Sequence, residues 1–293
     1  MSDDNRTILV LGATGQQGGS VARALIRANW QVRALVRDPT AAKALALRDI
    51  GVELVAGSLT DTDVIRAAMR NAHGVFSVLP GNLAQGEEVR LGKLIADLAV
   101  ENCVAHLLYS SGASAGDQLT GVERFDAKPM IEAHIRSLPI IATIIRPVIF
   151  MEMLPRRGFG LDEGRYSFFL EPEQSMQLIS VSDIGKFAAA IFNDPKRFGG
   201  ERMTIASDTI TGRDLEASFS AAAGYPIAYS RFSSAFLAAN TDLGHMAASL
   251  IDGPLSKQAD LNLMRNINPE ISAFRSWLAG DGREAFLAAL TRV

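Results

Sequence analysis

Thr7-Ile-Leu-Val-Leu-Gly-Ala-Thr-Gly-Gln-Gln-Gly-Gly19 is the stretch whose reading decides the fold. Ile8 to Leu11 form an unbroken apolar run, the pattern of a short strand covered on both faces. The run leads into Gly12, Gly15 and Gly18, and then into the alanine-rich amphipathic segment Ser20-Val-Ala-Arg-Ala-Leu-Ile-Arg-Ala28. Strand, glycine turn and helix therefore follow one another directly. Glycine lets the backbone come close to a ligand, and the helix start offers unpaired N–H groups and a partial positive charge. A diphosphate satisfies both, held by Gly12, Ala13, Thr14, Gly15, Gln16, Gln17 and Gly18.

Outward from this turn the same rhythm repeats. Strands are expected at Gln31–Val36, Val52–Ala56, Gly74–Leu79, Ala105–Tyr109 and Ile140–Ile145. Helices are expected between them at Ala41–Arg48, Asp63–Ala72, Gly86–Glu101 and Asp126–Ser137, the last with Pro129 in its first turn. Such alternation predicts an α/β fold, a Rossmann-type doubly wound parallel sheet with helices on both faces. It is regular to about Met153 and looser beyond. We expect a dinucleotide-binding domain over 1–153, a returning segment at about 178–198, and a smaller α+β lobe over 154–293 that closes over the sheet's C-terminal edge. Within that lobe a strand-like pair flanks Leu170 to Ser175, and Thr211 opens a helix over Gly212–Gly224. Asp183, just before a helical stretch, reads as a helix cap.

The 293 residues are 48% hydrophobic and 21% charged, enough apolar material for a sizeable core. A net charge of −3 with no dense Lys/Arg run argues against direct nucleic-acid binding. The most hydrophobic run, Pro139 to Met151, is short and interrupted by Arg146, so no membrane span is expected. The polar N-terminus lacks an apolar signal core, and a single cysteine cannot form an internal disulfide; both suit the cytoplasm. Cys103 lies among apolar neighbours and is expected to be buried. The four histidines show no metal-ligand spacing, so no metal is expected.

At the end of the second strand, where many dinucleotide folds place an acidic residue on the ribose, stands Arg37, 19 residues after Gly18. A guanidinium suits a 2′-phosphate and favours NADP(H) over NAD(H). Asp38 competes, either by reaching a ribose hydroxyl or by pairing with Arg37. The usual short-chain reductase places a tyrosine four residues before its lysine, as proton donor. Lys128 stands where that lysine belongs and is the candidate catalytic residue, with Ser110 or Ser111 as the accompanying serine. Four residues before it, however, is Arg124. Tyr109 cannot take over on spacing alone.

The spacing G-x-x-G-x-x-G resembles the fingerprint of the extended and atypical short-chain dehydrogenase/reductases. Gly12 to Arg23, Val32 to Arg37, Gly92 to Leu98, Phe125 to Lys128 and Arg146 to Glu152 together resemble the NmrA-like family, closest to its redox-sensor branch, HSCARG. The resemblance implies a Rossmann domain with a small C-terminal domain, and NADP(H) as cofactor. It also implies Arg37 on the 2′-phosphate, Ser58 and Leu59 beside the adenine, Lys93, Lys128 near the nicotinamide ribose, and the loop Phe150-Met151-Glu152. The chain departs from the family at Ser58, where an acidic residue is frequent, and at Met153, where asparagine is frequent. Two functions are compatible with it. One is a sensor of the NADPH/NADP+ ratio read by a regulatory protein partner. The other is a reductase of quinones or similar conjugated acceptors, for which Phe159, Tyr166, Phe168 and Phe169 would suit the substrate unless they are core. Glu152 would be a proton donor if burial raised its pKa.

Overall fold

A computed structural model describes residues 6–83, 86–116, 119 and 123–291. The elements run β1 (Thr7–Val10), α1 (Gln16–Arg27), β2 (Gln31–Val36), α2 (Ala42–Arg48), β3 (Glu53–Ala56), α3 (Thr62–Met69), β4 (Gly74–Ser77), α4 (Glu87–Glu101), β5 (His106–Ser110), α5 (Glu123–Ser137) and β6 (Ala142–Pro147). They continue with β7 (Ile149–Phe150), β8 (Arg165–Phe168), β9 (Ser175–Ile179), α6 (Val181–Asn193), α7 (Pro195–Phe198), β10 (Arg202–Ile205), β11 (Asp208–Thr211), α8 (Gly212–Ala223) and β12 (Ala228–Arg231). The chain finishes in helices: α9 (Ser234–Ala239), α10 (Thr241–Asp252), α11 (Leu261–Ile267), α12 (Phe274–Ala279) and α13 (Arg283–Leu290). None of the described helices is long and apolar enough to cross a membrane.

Two compact units form. The first is Met1–Arg146 with Ile184–Met203, the second Pro147–Asp183 with Thr204–Val293. The central sheet has the order β10-β6-β5-β4-β1-β2-β3, with β1 to β6 paired parallel. The order reverses between β1 and β4, the switch point at which a doubly wound sheet opens a crevice. β1, β4 and β5 are buried at every position, the apolar Ile8–Val10, Val75–Phe76 and Leu107–Leu108 at their centres. Helices α3, α4 and α5 cover one side through Ile65, Met69, Leu91, Ile95 and Ile131.

α6 returns to the first unit by burying Phe187, Ile191 and Phe192, and close and polar contacts fix its approach. A Cβ on Gly185 would lie 2.6 Å from the Ser20 carbonyl oxygen, so only glycine lets α6 approach α1 this closely. Trp30 Nε1 donates to Asn193 Oδ1 at 2.8 Å, and Thr143 Oγ1 donates to the Phe198 carbonyl at 2.7 Å.

In the second unit, β8 and β9 flank Leu170 to Ser175 as expected, but they belong to different sheets. β9 lies between β11, antiparallel, and β7, parallel, whereas β8 pairs parallel with β12. Tyr166, Phe168, Phe169, Phe219 and Phe274 build this unit's core. Thr211 caps α8 as expected, reinforced by a reciprocal bond from Asp214. Cys103 corrects another expectation: it is exposed, held in the left-handed region (φ +53°) just after Asn102 ends α4. Its apolar neighbours in sequence are the last turn of a helix and the approach to β5, and the residue between them turns outward.

Candidate functional site

The site begins at the turn after β1. Gly12 adopts φ +75°, and its amide plane is crowded by Val78, whose carbonyl oxygen would lie 2.9 Å from any Cβ there. A Cβ on Gly18 would stand 2.3 Å from the Gly12 oxygen and 2.8 Å from the Ala13 nitrogen, all backbone that cannot swing aside. The turn closes by Gly15 N–H donating to Gly12 O at 2.9 Å. Gly15 caps α1 without any side-chain bond, and the first turn carries no acidic residue. Its leading N–H groups thus have neither an internal cap nor a competing carboxylate, and Thr14, Gly15 and Gln16 are exposed. Ala13 is buried, so only its main chain can face a ligand. Gln17 is tied to the end of β5: Ser110 Oγ donates to Gln17 Oε1 at 2.7 Å.

Arg37 is exposed at the end of β2, and among the described residues no carboxylate pairs with it. Asp38 is committed elsewhere. Its Oδ1 accepts from Thr40 N–H at 2.8 Å and from Thr40 Oγ1 at 2.6 Å, and these bonds hold its carboxyl below the usual range. The two roles open to Asp38 in the sequence are thereby narrowed, because it neither neutralises Arg37 nor holds an unspent Oδ1. Ser58 and Leu59 follow β3. Ser58 Oγ lies 2.9 Å from Thr60 Oγ1 and accepts from Thr60 N–H, shaping the loop into α3, while Leu59 packs against the first unit's core.

Lys93 and Lys128 come from helices α4 and α5. These cross at Gly92, where a Cβ would meet Ile131 at 2.6 Å. That approach brings Glu88, one turn before Gly92, to Lys128, one turn before Glu132. Lys128 Nζ donates to Glu88 Oε1 at 2.7 Å, and its stem runs past Gly112 in the loop after β5. Ser111 is spent on a buried cluster: its Oγ donates to Glu132 Oε1 at 2.6 Å, while Arg146 binds both Glu132 oxygens at 2.9 and 2.7 Å. Tyr109 lies under the same helices, almost wholly buried, and its hydroxyl finds no partner among the described residues. Burial, then the charges of Glu88 and Glu132, push its pKa well above the ordinary tyrosine value. It packs as a core residue.

A cradle that any Cβ would fill, an uncapped helix start and an unpaired guanidinium at the second strand's end form one set along the carboxyl edge of β1 and β2. They match a phosphate-bearing nucleotide in shape and charge.

A profile of the NmrA-like family matches residues 4–270. The chain belongs to the NmrA-like family. One relative, the NmrA-like family domain-containing oxidoreductase hkm9 of Aspergillus hancockii, is 30% identical over 244 residues, 75% of this chain and 73% of that one. Another, the NAD(P)H azoreductase of Xenophilus azovorans, is 28% identical over 223 residues, 76% of each chain. Among solved structures, NmrA, a negative transcriptional regulator, in complex with NADP superposes with a TM-score of 0.80 at 20% identity, covering 98% of both chains. At that identity the likeness speaks for the fold.

The NmrA-like loop Phe150-Met151-Glu152 falls in the second unit. Met151 is fully buried in that unit's core, leaving only its main chain for any ligand. Glu152 Oε1 accepts from Val181 N–H at 3.0 Å, while Oε2 is buried with no hydrogen-bond partner among the described residues. Burial raises the Glu152 pKa above the usual glutamate value, against the lowering effect of the Val181 bond. Asp183 is not the cap of α6. Ser180 is, accepting from Asp183 N–H at 3.1 Å. The Asp183 carboxylate instead binds Ser207 Oγ at 2.6 Å, Ser272 N–H at 2.8 Å and Asn268 Nδ2 at 3.3 Å, tying three distant segments together. Tyr166, Phe168 and Phe169 are core, with Tyr166 donating to the Leu154 carbonyl at 3.2 Å. Among the described residues no cluster of three or more His, Cys, Asp or Glu could hold a metal.

Sequence reasoning missed Glu88 and Glu132. The available signal was Gly92: a glycine inside a good helix, one turn from an acidic residue, marks a close helix crossing.

Proposed function

We propose that the chain binds NADP(H) at the Gly12–Gly18 turn, with Arg37 on the 2′-phosphate, and reports the NADPH/NADP+ ratio to a protein partner. The observation that carries the cofactor reading is Arg37, exposed at the end of β2 with no carboxylate pairing it among the described residues, while Asp38 Oδ1 accepts from Thr40. NmrA, described as a transcriptional regulator, is solved with NADP and with NAD, which supports a dinucleotide at this turn. The regulatory reading is supported by the chemistry around Lys128. No tyrosine stands four residues before it, its ammonium is neutralised by Glu88, and Ser111 is engaged with Glu132. A tyrosine–lysine proton relay lacks its tyrosine here, and its lysine is held by Glu88.

A second reading is favoured by the relatives hkm9 and the Xenophilus azoreductase, an oxidoreductase and a reductase. Bound NADPH supplies a hydride to a quinone or similar conjugated acceptor. This chain's residues then bind and orient the cofactor, Lys128 holding the nicotinamide ribose beside Gly112. Phe150, Met151 and Glu152 are proposed to serve the nicotinamide end.

Calorimetric titration with NADPH and NADH tests the cofactor, and NADPH tighter than NADH is expected. Equal affinity, or NADH the tighter, would overturn it. NADPH consumption against quinones, azo dyes and enals, run beside Lys128→Ala, separates the two readings. Binding without consumption favours the sensor. Turnover that disappears in Lys128→Ala makes the chain a reductase.

A further inference from the structure

The second unit contains a groove that the cofactor reading leaves unused. It runs between α8 on one side and α12 with α13 on the other, and holds about 630 Å³. That lies within the range of small-molecule sites, about 300–1,000 Å³. Its floor includes Leu278 and Phe286, both buried, and Leu287 stands 46% exposed at its edge. The wall from α8 is low because exposed positions that normally carry long polar side chains are Ala217, Ala221 and Ala222.

Three polar groups break this apolar lining. Arg275 and Arg283 are exposed and border the groove, and neither makes an ion pair among the described residues. Asp214, the carboxylate whose charge Arg275 feels, already accepts from Thr211 N–H and Thr211 Oγ1 at 2.9 and 2.7 Å. Ser218 lines the floor, 5% exposed, and its hydroxyl has no hydrogen-bond partner among the described residues. A buried hydroxyl without a partner is costly, and native structures retain one where something else completes it. Two guanidinium groups and one donor hydroxyl, set on an apolar bed, are complementary to a carboxylate carrying a hydrocarbon body.

We infer that the α8/α12/α13 groove is a binding site for a medium-chain monocarboxylate, its carboxylate on Arg275 and Arg283 and its chain over Leu278, Phe286 and the alanines of α8. The site lies wholly within the second unit and does not depend on the NADP(H) reading.

The test is calorimetric titration of the full chain with decanoate, with 1-decanol as the uncharged control. One decanoate per chain is expected, with decanol weaker by about tenfold, as loss of the charged hydrogen bonds implies. The double variant Arg275→Ala/Arg283→Ala should lose about tenfold or more for the same reason. Ala221→Phe, at an exposed helix position where the fold tolerates change, should fill the groove and abolish binding. Ser218→Ala should weaken decanoate severalfold without lowering the melting temperature, since it removes an unsatisfied hydroxyl; a purely structural serine would not behave so. No saturable binding up to about 1 mM, an affinity of no more than about 4 kcal/mol, would overturn the inference. So would decanoate binding unchanged in the arginine pair and in Ala221→Phe. A concentration-dependent dimer dispersed by Ala221→Phe would assign the groove to a second copy of the chain and equally overturn it.

Discussion

Arg37 and Gly18 show how differently two residues of one site can be read. Spacing alone places Arg37 at the end of the second strand, where a dinucleotide fold meets the ribose, and that is where the structure has it. What spacing could not give was the fate of Asp38, which depends on a turn that brings Thr40 back to it at 2.6 Å. With Asp38 spent, Arg37→Ala should weaken NADPH by about 10- to 100-fold, the worth of charge-assisted bonds to a phosphate, and leave NADH nearly unchanged. Paired titrations check this, and an unchanged NADPH:NADH ratio would remove Arg37 from the site. Gly18→Ala is the steric counterpart. Its Cβ would meet backbone atoms at 2.3 and 2.5 Å, so the turn itself must open. A stability loss of about 1–3 kcal/mol is expected from such overpacking, together with loss of NADPH binding. Thermal melting and titration on the same sample read both.

The alternation of strands and helices places α4 and α5 in the sequence, but it does not say which of their faces meet. The crossing is set by Gly92 against Ile131, and only once that contact is known do Glu88 and Lys128 become neighbours. Beneath them, Glu132 is 2% exposed and bound by Arg146 and Ser111, with Arg202 a further 3.7 Å away. Arg146 reads in the sequence merely as a break in an apolar run; in three dimensions it neutralises a buried carboxylate. Arg146→Met should cost about 3–5 kcal/mol, because it strands that charge. The double variant Arg146→Met/Glu132→Leu should recover much of the loss, since it strands none. Urea unfolding of both would show it, and equal destabilisation by single and double variants would contradict the assignment. Pro129 illustrates a boundary effect. α5 begins at Glu123, three residues before the expected start, which moves the proline from the first turn into the helix body.

For the whole molecule, the parallel sheet was readable because its strands alternate with helices at short range. The second unit was not, because β8 finds β12 and β9 finds β11 and β7 across long separations that no local pattern encodes. Global stability should also carry the mark of one buried histidine. Thr143 gives its only hydroxyl proton to the Phe198 carbonyl, so it accepts from His106 Nε2–H at 2.8 Å, and Nδ1 is left bare and buried. Burial first, and then nearby His73, lower the His106 pKa from 6.5 to about 4. The folded state therefore binds fewer protons than the unfolded one across this window. His106 contributes fully above pH 6.5, and its share, about 3 kcal/mol, is lost as pH falls towards 4. Unfolding midpoints measured from pH 7 to 4 should fall accordingly, and His106→Gln should flatten that part of the profile; an identical slope would count against it.

The first unit is assembled from two separated stretches, Met1–Arg146 and Ile184–Met203. This has a consequence for the order of events at the ribosome. When β6 leaves the exit tunnel, Trp30, Ser20 and Thr143 still await Asn193, Gly185 and Phe198, so the nascent sheet has an open edge and an uncovered helix face. Synthesis of the intervening residues at about 5–20 per second leaves that half-built sheet waiting for seconds. The glycine turn is among the first parts made, yet the unit that carries it is finished only after the first stretch of the second unit, Pro147–Asp183, has been translated.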